Sequence, residues 1–524
     1  MFKEIKSKKE ARELMLSGMK KLAEAVGSTF GPNGNSVVLC GIGTQPHVTK
    51  DGVTVAKEIE FDNPFENAGA QLLKEAAVRT VNTVGDATTT STILGYGFCA
   101  QLMQYLDKEP IVQIKAEIEQ TKKDVVEFIK QCAIEVTDSD IKNIATISAN
   151  NDPELGQLIA DAFLKVGRDG IITVEESLNA NTTIDVVSGM QFDRGYIAPH
   201  FVTDTTKDQC VLENPYILIT EHKINRLRDI AGILNPVVNE GRSILIIAED
   251  YDDTVVEALK LNKLNGTLNC CAIKAPSYGE YRKQILEDLA ILTGGFNVSY
   301  DSALELVDAT NVVLGSCKKA VITKDKTTIT EGNGDKNLLE NRIKDIKAEY
   351  ERVKKDPVQQ GGFVEKFLQE RIAKLTGGIC VIHVGGGTEL EMRERKDRVD
   401  DAVCATQAAI EEGIVPGGGT VYVRARNVCN KNNLGGYIIY NILSSPFEGI
   451  VVTAGKKPDD YIDLIEKNAG FDALRGCFVE DMIKIGIVDP AKAVRLAFEN
   501  AVSILLLFLN TNTIIAPKMV SQIV

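Results

Sequence analysis

Val84-Gly85-Asp86-Ala87-Thr88-Thr89-Thr90 places a glycine, an acid and three consecutive hydroxyls directly before residues 93–106, an apolar run with helical spacing. Backbone N–H groups at a helix start carry partial positive charge and lack intrahelical partners, so they attract phosphate. An aspartate in that mouth repels phosphate unless a divalent cation stands between them, and oxygen-rich, Mg²⁺-bridged nucleotide sites have this composition. The alternative is local: Asp86 N-caps the helix and the threonines fill its first turn.

Working outward, the helix that precedes this loop and the one that follows it belong to a mostly helical stretch ending near Cys132. A first helix is expected over 8–26, where Ala11, Leu14, Met15, Gly18, Leu22 and Val26 form an i, i+3/i+4 stripe. It runs into the turn-rich loop Gly27-Ser28-Thr29-Phe30-Gly31-Pro32-Asn33-Gly34. Short strands are expected at 36–39 and 47–49, with Lys50-Asp51-Gly52 as the next turn. From about Val136 the pattern changes to alternating strands and helices, with strand-like runs at 171–175, 182–187, 216–220, 244–248, 269–274 and 320–323. Within it, 336–354 and 363–374 read as a charged helical hairpin around Pro357 and Gly361-Gly362. A strand at 379–384, a long charged helix over 389–412 and a helical remainder to Phe508 complete the chain. A helical part is therefore split by an α/β insertion.

Composition narrows the function. The 524 residues suffice for about three domains of ~150 residues. A net charge of −14 and a pI near 5.1 argue against a nucleic-acid partner. No uninterrupted apolar run reaches the ~18–20 residues of a membrane span; residues 501–509 are half that and read as a buried helix. The charged start, Met1-Phe2-Lys3-Glu4, lacks a secretory apolar core. Eleven cysteines without a CxxC pair are expected to be buried, reduced thiols in a cytosol-like compartment. Four histidines, none in ligand spacing to another, make a zinc site an unattractive expectation.

No Walker-type GxxxxGK[ST] occurs. Gly385-Gly386-Gly387-Thr388 and Gly417-Gly418-Gly419-Thr420 are the other glycine runs, each suited to a plain turn or to close approach of backbone to a ligand. Asp489-Pro490 reads as an N-cap with proline at the first helical position.

Seven segments, in order, carry a resemblance: residues 29–34, Val48-Thr49-Lys50-Asp51-Gly52-Val53, residues 85–90, Thr146-Ile147-Ser148-Ala149-Asn150, Gly189-Met190-Gln191-Phe192-Asp193-Arg194-Gly195-Tyr196, residues 411–419 and Gly486-Ile487-Val488-Asp489-Pro490. Together they resemble the group I chaperonins, the GroEL-type 60 kDa heat-shock proteins, over nearly the whole chain. Group II chaperonins share a similar acid–threonine loop, but the 146–150 and 189–196 segments favour group I. The resemblance implies a multidomain α+β fold: a mostly helical equatorial ATPase domain from 1–132 plus 412–524, an intermediate hinge domain from 133–187 plus 379–411, and an apical α/β domain over 188–378.

It also implies roles. Thr29, Phe30, Gly31 and Pro32 lie near the nucleotide, with Lys50 and Thr29 beside a monovalent cation, K⁺. Asp86 holds Mg²⁺ beside Ala87, and Thr88, Thr89 and Thr90 bond phosphate oxygens. Gly418, Asp472, Ala473 and Asp489 surround ribose and base. Asp51 and Asp401 orient the attacking water. Helical geometry sets Asp401 roughly opposite the stripe of Val399, Ala402, Val403, Thr406 and Ile410, with Asp400 about 100° away. Client polypeptides are expected on apical aliphatics: Ile230, Ile233, Leu234 and Val237 on one segment, Val256, Leu259 and Leu261 on the next, with Tyr196 and Phe201.

The chain also departs from the family. Ala87 stands where the family has glycine and resists a left-handed backbone, Asp472 replaces an amide, and Lys260 falls where an aliphatic is common. Gly232 and Pro236 should weaken or kink the first apical helix. Residues 517–524 lack Gly-Gly-Met repeats, and Glu448 with Lys457 invert the usual signs of an inter-ring pair. The expected function is an ATP-dependent folding chamber, a homo-oligomeric and usually sevenfold ring, single or double, with a GroES-type co-chaperonin lid and no nucleic-acid or membrane partner. The expected location is the cytoplasm of a bacterium or a virus-infected host, an organelle matrix being the alternative. A holdase or scaffold without productive ATP cycling is the competing reading, and an unrelated kinase or ligase a third.

Overall fold

The computed structural model describes residues 3–40, 47–106, 110–167, 170–177, 181–205, 207–302, 304–355, 362–376 and 378–517. The chain forms two compact units, Met1–Asp161 with Gly386–Val524, and Ala162–Gly385.

The first unit is built from long helices. Lys8–Gly27 buries Ala11, Met15, Leu22 and Val26, the periodic stripe read from sequence, against Pro64–Val84 and Thr88–Met103. Two glycines set how closely the first pair cross: a Cβ on Gly18 would fall 1.9 Å from the Glu66 carbonyl, and one on Gly69 2.0 Å from that of Met15. Ala491–Asn510 packs on both later helices and on Ile111–Cys132, and its Phe498 meets Phe98 edge-on at 6.1 Å. Among the described residues it alone is, as a single helix, long and apolar enough in composition to cross a membrane, and more than half of its apolar window is buried in this core. Arg495 ties it to the end of Glu389–Glu412 by a two-pronged bond to Glu412, 2.5 and 2.8 Å. The chain ends meet where Lys3–Ser7 pairs antiparallel with Thr513–Pro517, Lys3 opposite Pro517 and Ser7 opposite Thr513.

The second unit centres on an eight-stranded mixed sheet. Its parallel part contains Ile244–Ala248, every residue of which is buried, as a continuous apolar run between two covered faces requires. Helices Ala231–Glu240, Asp253–Leu264 and Gly279–Thr293 connect the parallel strands. The first of these continues through Pro236. The hairpin of Lys336–Lys355 and Phe363–Thr376 forms as expected; its turn, with Pro357 and Gly361, lies outside the described residues. A smaller sheet sets Ile379–Val384 between Ile171–Glu176, parallel, and Thr183–Val187, antiparallel. Of the segments assigned above to an intermediate domain, helices Asp138–Ser148 and Glu389–Glu412 pack together in the first unit, while this small sheet belongs to the second.

None of the eleven cysteines forms a disulfide; Cys40, Cys404 and Cys477 are exposed, against the expectation of uniformly buried thiols.

Candidate functional site

Gly85 ends the Pro64–Val84 helix in the left-handed region, φ 70°, and its N–H donates to the Val81 carbonyl at 2.7 Å. Only glycine fits: an added Cβ would stand 2.5 Å from the Cys404 Cβ and 2.7 Å from the Asp401 carbonyl oxygen. The acid–threonine loop therefore leans on the Glu389–Glu412 helix at Asp401. Ala87 follows with φ 65° and ψ 20°, and it, not Asp86, occupies the N-cap position of Thr88–Met103 without any side-chain cap. The local alternative for Asp86 thus falls away. Its Oδ1 accepts the neighbouring Ala87 N–H at 2.5 Å instead. A left-handed alanine costs about 1–2 kcal/mol, offset in part where the Ala87 methyl packs on Val84, Ala408 and Ala493.

A second acid comes from the other end of the chain. Gly418 and Gly419, φ 71° and 74°, turn strand Ile414–Pro416 into helix Thr420–Ala425. Asp489 lies in strand Val488–Pro490 opposite Val415, and its carboxylate accepts the N–H groups of Gly418 and Gly419. The expected N-cap role of Asp489 is corrected here: the helix begins at Ala491, whose N–H is held by the Gly413 carbonyl at 2.9 Å, so tertiary strand pairing overrides the local signature. Burial, and then the charge of Asp86, push the Asp489 carboxyl up to about 7. Crowding by protein atoms raises that of Asp86 as well, although its outer edge meets solvent. Two acids thus repel one another beside a helix start.

The remaining wall comes from the first third of the chain. A Cβ on Gly52 would lie 2.6 Å from Thr89 Oγ1 and 3.6 Å from Thr29 Oγ1, so three segments converge on that glycine. Thr29 is buried, its hydroxyl donating to the Val26 carbonyl at 2.8 Å. Phe30 lies against Gly449, and left-handed Gly31, followed by Pro32, sits beside Ile450 and Thr453. Thr88 is buried, while Thr90 is half-buried in the first helical turn. Asp51 and Lys50 are exposed at the mouth. Asp51 also caps helix Gly52–Glu58: Oδ1 accepts from Val53 N–H at 3.0 Å, and Oδ2 from Thr54 N–H at 2.9 Å and its hydroxyl at 2.5 Å.

Asn33, which sequence reasoning passed over, ties the two chain ends: its amide donates to the Ala473 carbonyl at 2.7 Å. Its only advance signal was its place in a turn-rich loop. Asp472 is engaged locally. It is buried, and its Oδ1 accepts the N–H groups of Leu474 and Arg475 at 3.0 and 3.1 Å, with the Arg475 guanidinium 3.6 Å from Oδ2. The side chain is turned into its own hairpin, and only the adjoining backbone faces Asn33.

Among the described residues no group of three or more His, Cys, Asp or Glu could hold a metal alone. The Asp86–Asp489 pair suits a different arrangement, in which one or two carboxylates complete a Mg²⁺ shell supplied otherwise by phosphate and water.

Residues 22–519 match the model of the TCP-1/cpn60 chaperonin family. The chain belongs to that chaperonin family. Its fold is similar to that of the chaperonin gp146 from the bacteriophage EL 2 (Pseudomonas aeruginosa), crystallised in presence of ATP-BeFx. Against crystal form II the TM-score is 0.69 at 20% identity, and against form I 0.63 at 21%, in each case over 98% of this chain and 99% of that one.

In this chaperonin chain the expected client residues divide sharply. Phe201 and Leu259 are fully buried and Leu234 is 7% exposed, so all three belong to the core of the second unit. Ile230, Ile233 and Val237 are buried with them. The stripes read from sequence are the faces by which the two helices pack inward; the i, i+3/i+4 signal marks burial and does not distinguish a sheet from a client. Val256 and Tyr196 are half-buried, and burial pushes the Tyr196 phenol up to about 12. Only Leu261 is exposed as expected, joined on the same two helices by Leu264 and Val238. Lys260 pairs with Glu257 at 2.7 Å.

Proposed function

We propose that this chaperonin-family chain is the subunit of an ATP-driven protein-folding chamber. The observation that carries the reading is the meeting of Asp86 and Asp489, from the two ends of the chain, at the uncapped start of the Thr88–Met103 helix. ATP phosphates would lie against that helix start, with Thr88, Thr89 and Thr90 donating to their oxygens and Gly31 and Pro32 closing behind them. Mg²⁺ held by Asp86 would neutralise phosphate charge and leave the terminal phosphorus open to attack. Thr29 and Lys50 would stand beside K⁺. Gly418 and the Ala473 backbone would flank ribose and base. Asp51 and Asp401 would orient the attacking water; phosphoryl transfer asks mainly for such positioning and charge compensation. Because Asp401 backs directly onto Gly85, a shift of the phosphate loop moves the long helix with it.

Clients would bind at Leu261, Leu264 and Val238, whose exposure leaves an apolar face on the second unit. Assembly has a physical motive in the first unit. Among the described residues two isolated two-stranded ribbons, Val37–Leu39 with His47–Thr49 and Lys3–Ser7 with Thr513–Pro517, leave edges unpaired and expose Val38, Val48, Ile5 and Ile515. Such ribbons are marginal alone and invite pairing with another copy. The assembly proposed is a ring, sevenfold and capped by a co-chaperonin lid by family likeness; cysteines outside any disulfide suit the cytoplasm.

The strained Ala87 favours a second reading, a holdase that binds unfolded chains with little hydrolysis. Steady-state ATP turnover with and without an unfolded client, alongside electron microscopy with and without ATP, separates them. A folding chamber gives ring particles and client-stimulated turnover. A holdase binds client with turnover near background.

A further inference from the structure

Four strands of the second unit run parallel in the spatial order Cys270–Lys274, Ile244–Ala248, Tyr216–Thr220, Asn297–Val298. Along the chain these are third, second, first and fourth, so the winding reverses between Tyr216–Thr220 and Asn297–Val298. At such a reversal the connections leave two neighbouring strands in opposite directions and open a crevice beyond their carboxyl ends, where ligands of open α/β sheets sit. Nothing proposed above uses this crevice.

Its lining is unusual for a merely structural edge. Asn297 is 9% exposed; its amide donates to Glu221 Oε1 at 3.0 Å, while its Oδ1 is buried with no partner. His222 lies against the Tyr300 ring, centroids 4.2 Å apart, and its Nε2 is likewise buried and unpartnered. Five buried side-chain nitrogen or oxygen atoms lack a partner among the described residues, and two of them belong to these neighbouring strand ends. Buried polar groups are ordinarily satisfied, so two such atoms on adjoining segments point to something that completes them. Tyr300 is 64% exposed, presenting an aromatic face at the rim. The neighbouring cations are engaged: Lys283 with Asp301 at 2.5 Å, although it also feels Glu221, and Arg282 with Glu249 at 2.5 Å.

We propose that this crevice binds a guanidinium group, the side chain of an arginine presented by a polypeptide. Asn297 Oδ1 can only accept, the Glu221 carboxylate accepts, and His222 Nε2 accepts when its proton rides on Nδ1. A planar, forked, cationic donor that also stacks on an aromatic ring answers all four features at once. The site would add a polar recognition element to the second unit, separate from its exposed aliphatics and independent of ATP turnover.

The test uses the full chain without nucleotide and Nα-acetyl-L-arginine amide as the probe. Four histidines make ¹³C-labelled imidazole signals resolvable, and His222→Gln identifies the one that matters. The expected result is a saturable shift of the His222 signal with a Kd of about 1–10 mM, matched by calorimetry, and roughly tenfold weaker binding in Glu221→Gln, as loss of a charge-assisted bond implies. Asn297→Leu should abolish binding; if it fails to fold, Glu221→Gln at the half-buried rim still decides. The proposal is overturned by an unsaturable response, by an equal response to Nα-acetyl-L-alanine amide, by unchanged affinity in Glu221→Gln, or by a probe-soaked structure in which ordered water alone fills the crevice.

Discussion

Asp86 and Asp489 repel one another across the Gly418–Gly419 turn, and the strain of that repulsion is carried by the nucleotide-free protein. The sign follows from linkage. The Asp489 carboxyl titrates near 7 in the folded chain against 3.8 ordinarily, so the unfolded chain ionises first. The contribution of this carboxyl to stability is fully present below about 4 and is lost as the pH rises through about 7. Asp489→Asn removes the penalty. It should raise the nucleotide-free Tm at pH 8 by an amount equivalent to about 1–2 kcal/mol and leave it unchanged at pH 4. Equal effects at both pH values would show that Asp489 is not held in its raised state.

Ala87 offers a cleaner look at backbone strain. Ala87→Gly relieves the left-handed penalty but forfeits the methyl contact with Val84, Ala408 and Ala493, so net stability should change by less than about 1 kcal/mol. ATP turnover should rise several-fold, since the phosphate loop relaxes. Ala87→Val, β-branched at φ 65°, should lose about 2 kcal/mol or more. Urea midpoints and steady-state turnover decide both.

Capping and catalysis can be separated at Asp51. Asp51→Asn keeps a good N-cap for Gly52–Glu58 while removing the charge, so stability should hold within about 0.5 kcal/mol as turnover falls at least ~100-fold. Asp401→Ala should slow hydrolysis similarly and leave ADP affinity within about threefold. Turnover that survives in either variant removes that residue from the hydrolytic role.

Within the second unit, Asp288 is fully buried and accepts from Arg371 at 2.7 and 2.9 Å and from Arg342 at 2.7 Å, joining Gly279–Thr293 to both helices of the charged hairpin. Asp288→Ala leaves the buried Arg371 guanidinium without a carboxylate, while Arg342 keeps Glu287 at 3.0 Å, and should lower stability by about 3–5 kcal/mol. A urea transition within ~1 kcal/mol of the parent would mean the network contributes little.

Much of this was readable in advance because it is local. Strands Tyr216–Thr220, Ile244–Ala248 and Ile379–Val384 are apolar runs bounded by turn residues, and helices Lys8–Gly27 and Glu389–Glu412 carry their own periodicity and stops. What was hidden is tertiary. Asp489-Pro490 has the composition of a helix cap, yet pairing with Val415 makes it a strand. Asp472 looks available until its own hairpin consumes its carboxylate. Leu234 and Leu259 carry the same spacing whether they meet a client or a sheet, and they meet the sheet. Asp401 has no local signal at all; the family likeness singled it out, and Gly85 shows where it packs.

Calorimetric titration of ADP into the full chain, with and without Mg²⁺, bears most squarely on the pocket built from both chain ends. One saturable site per chain is expected, strengthened by Mg²⁺, with affinity reduced at least ~100-fold in Asp86→Ala and clearly weakened in Asp489→Asn. Binding that ignores Mg²⁺ and persists unchanged in both variants would mean that these two carboxylates do not form a nucleotide site.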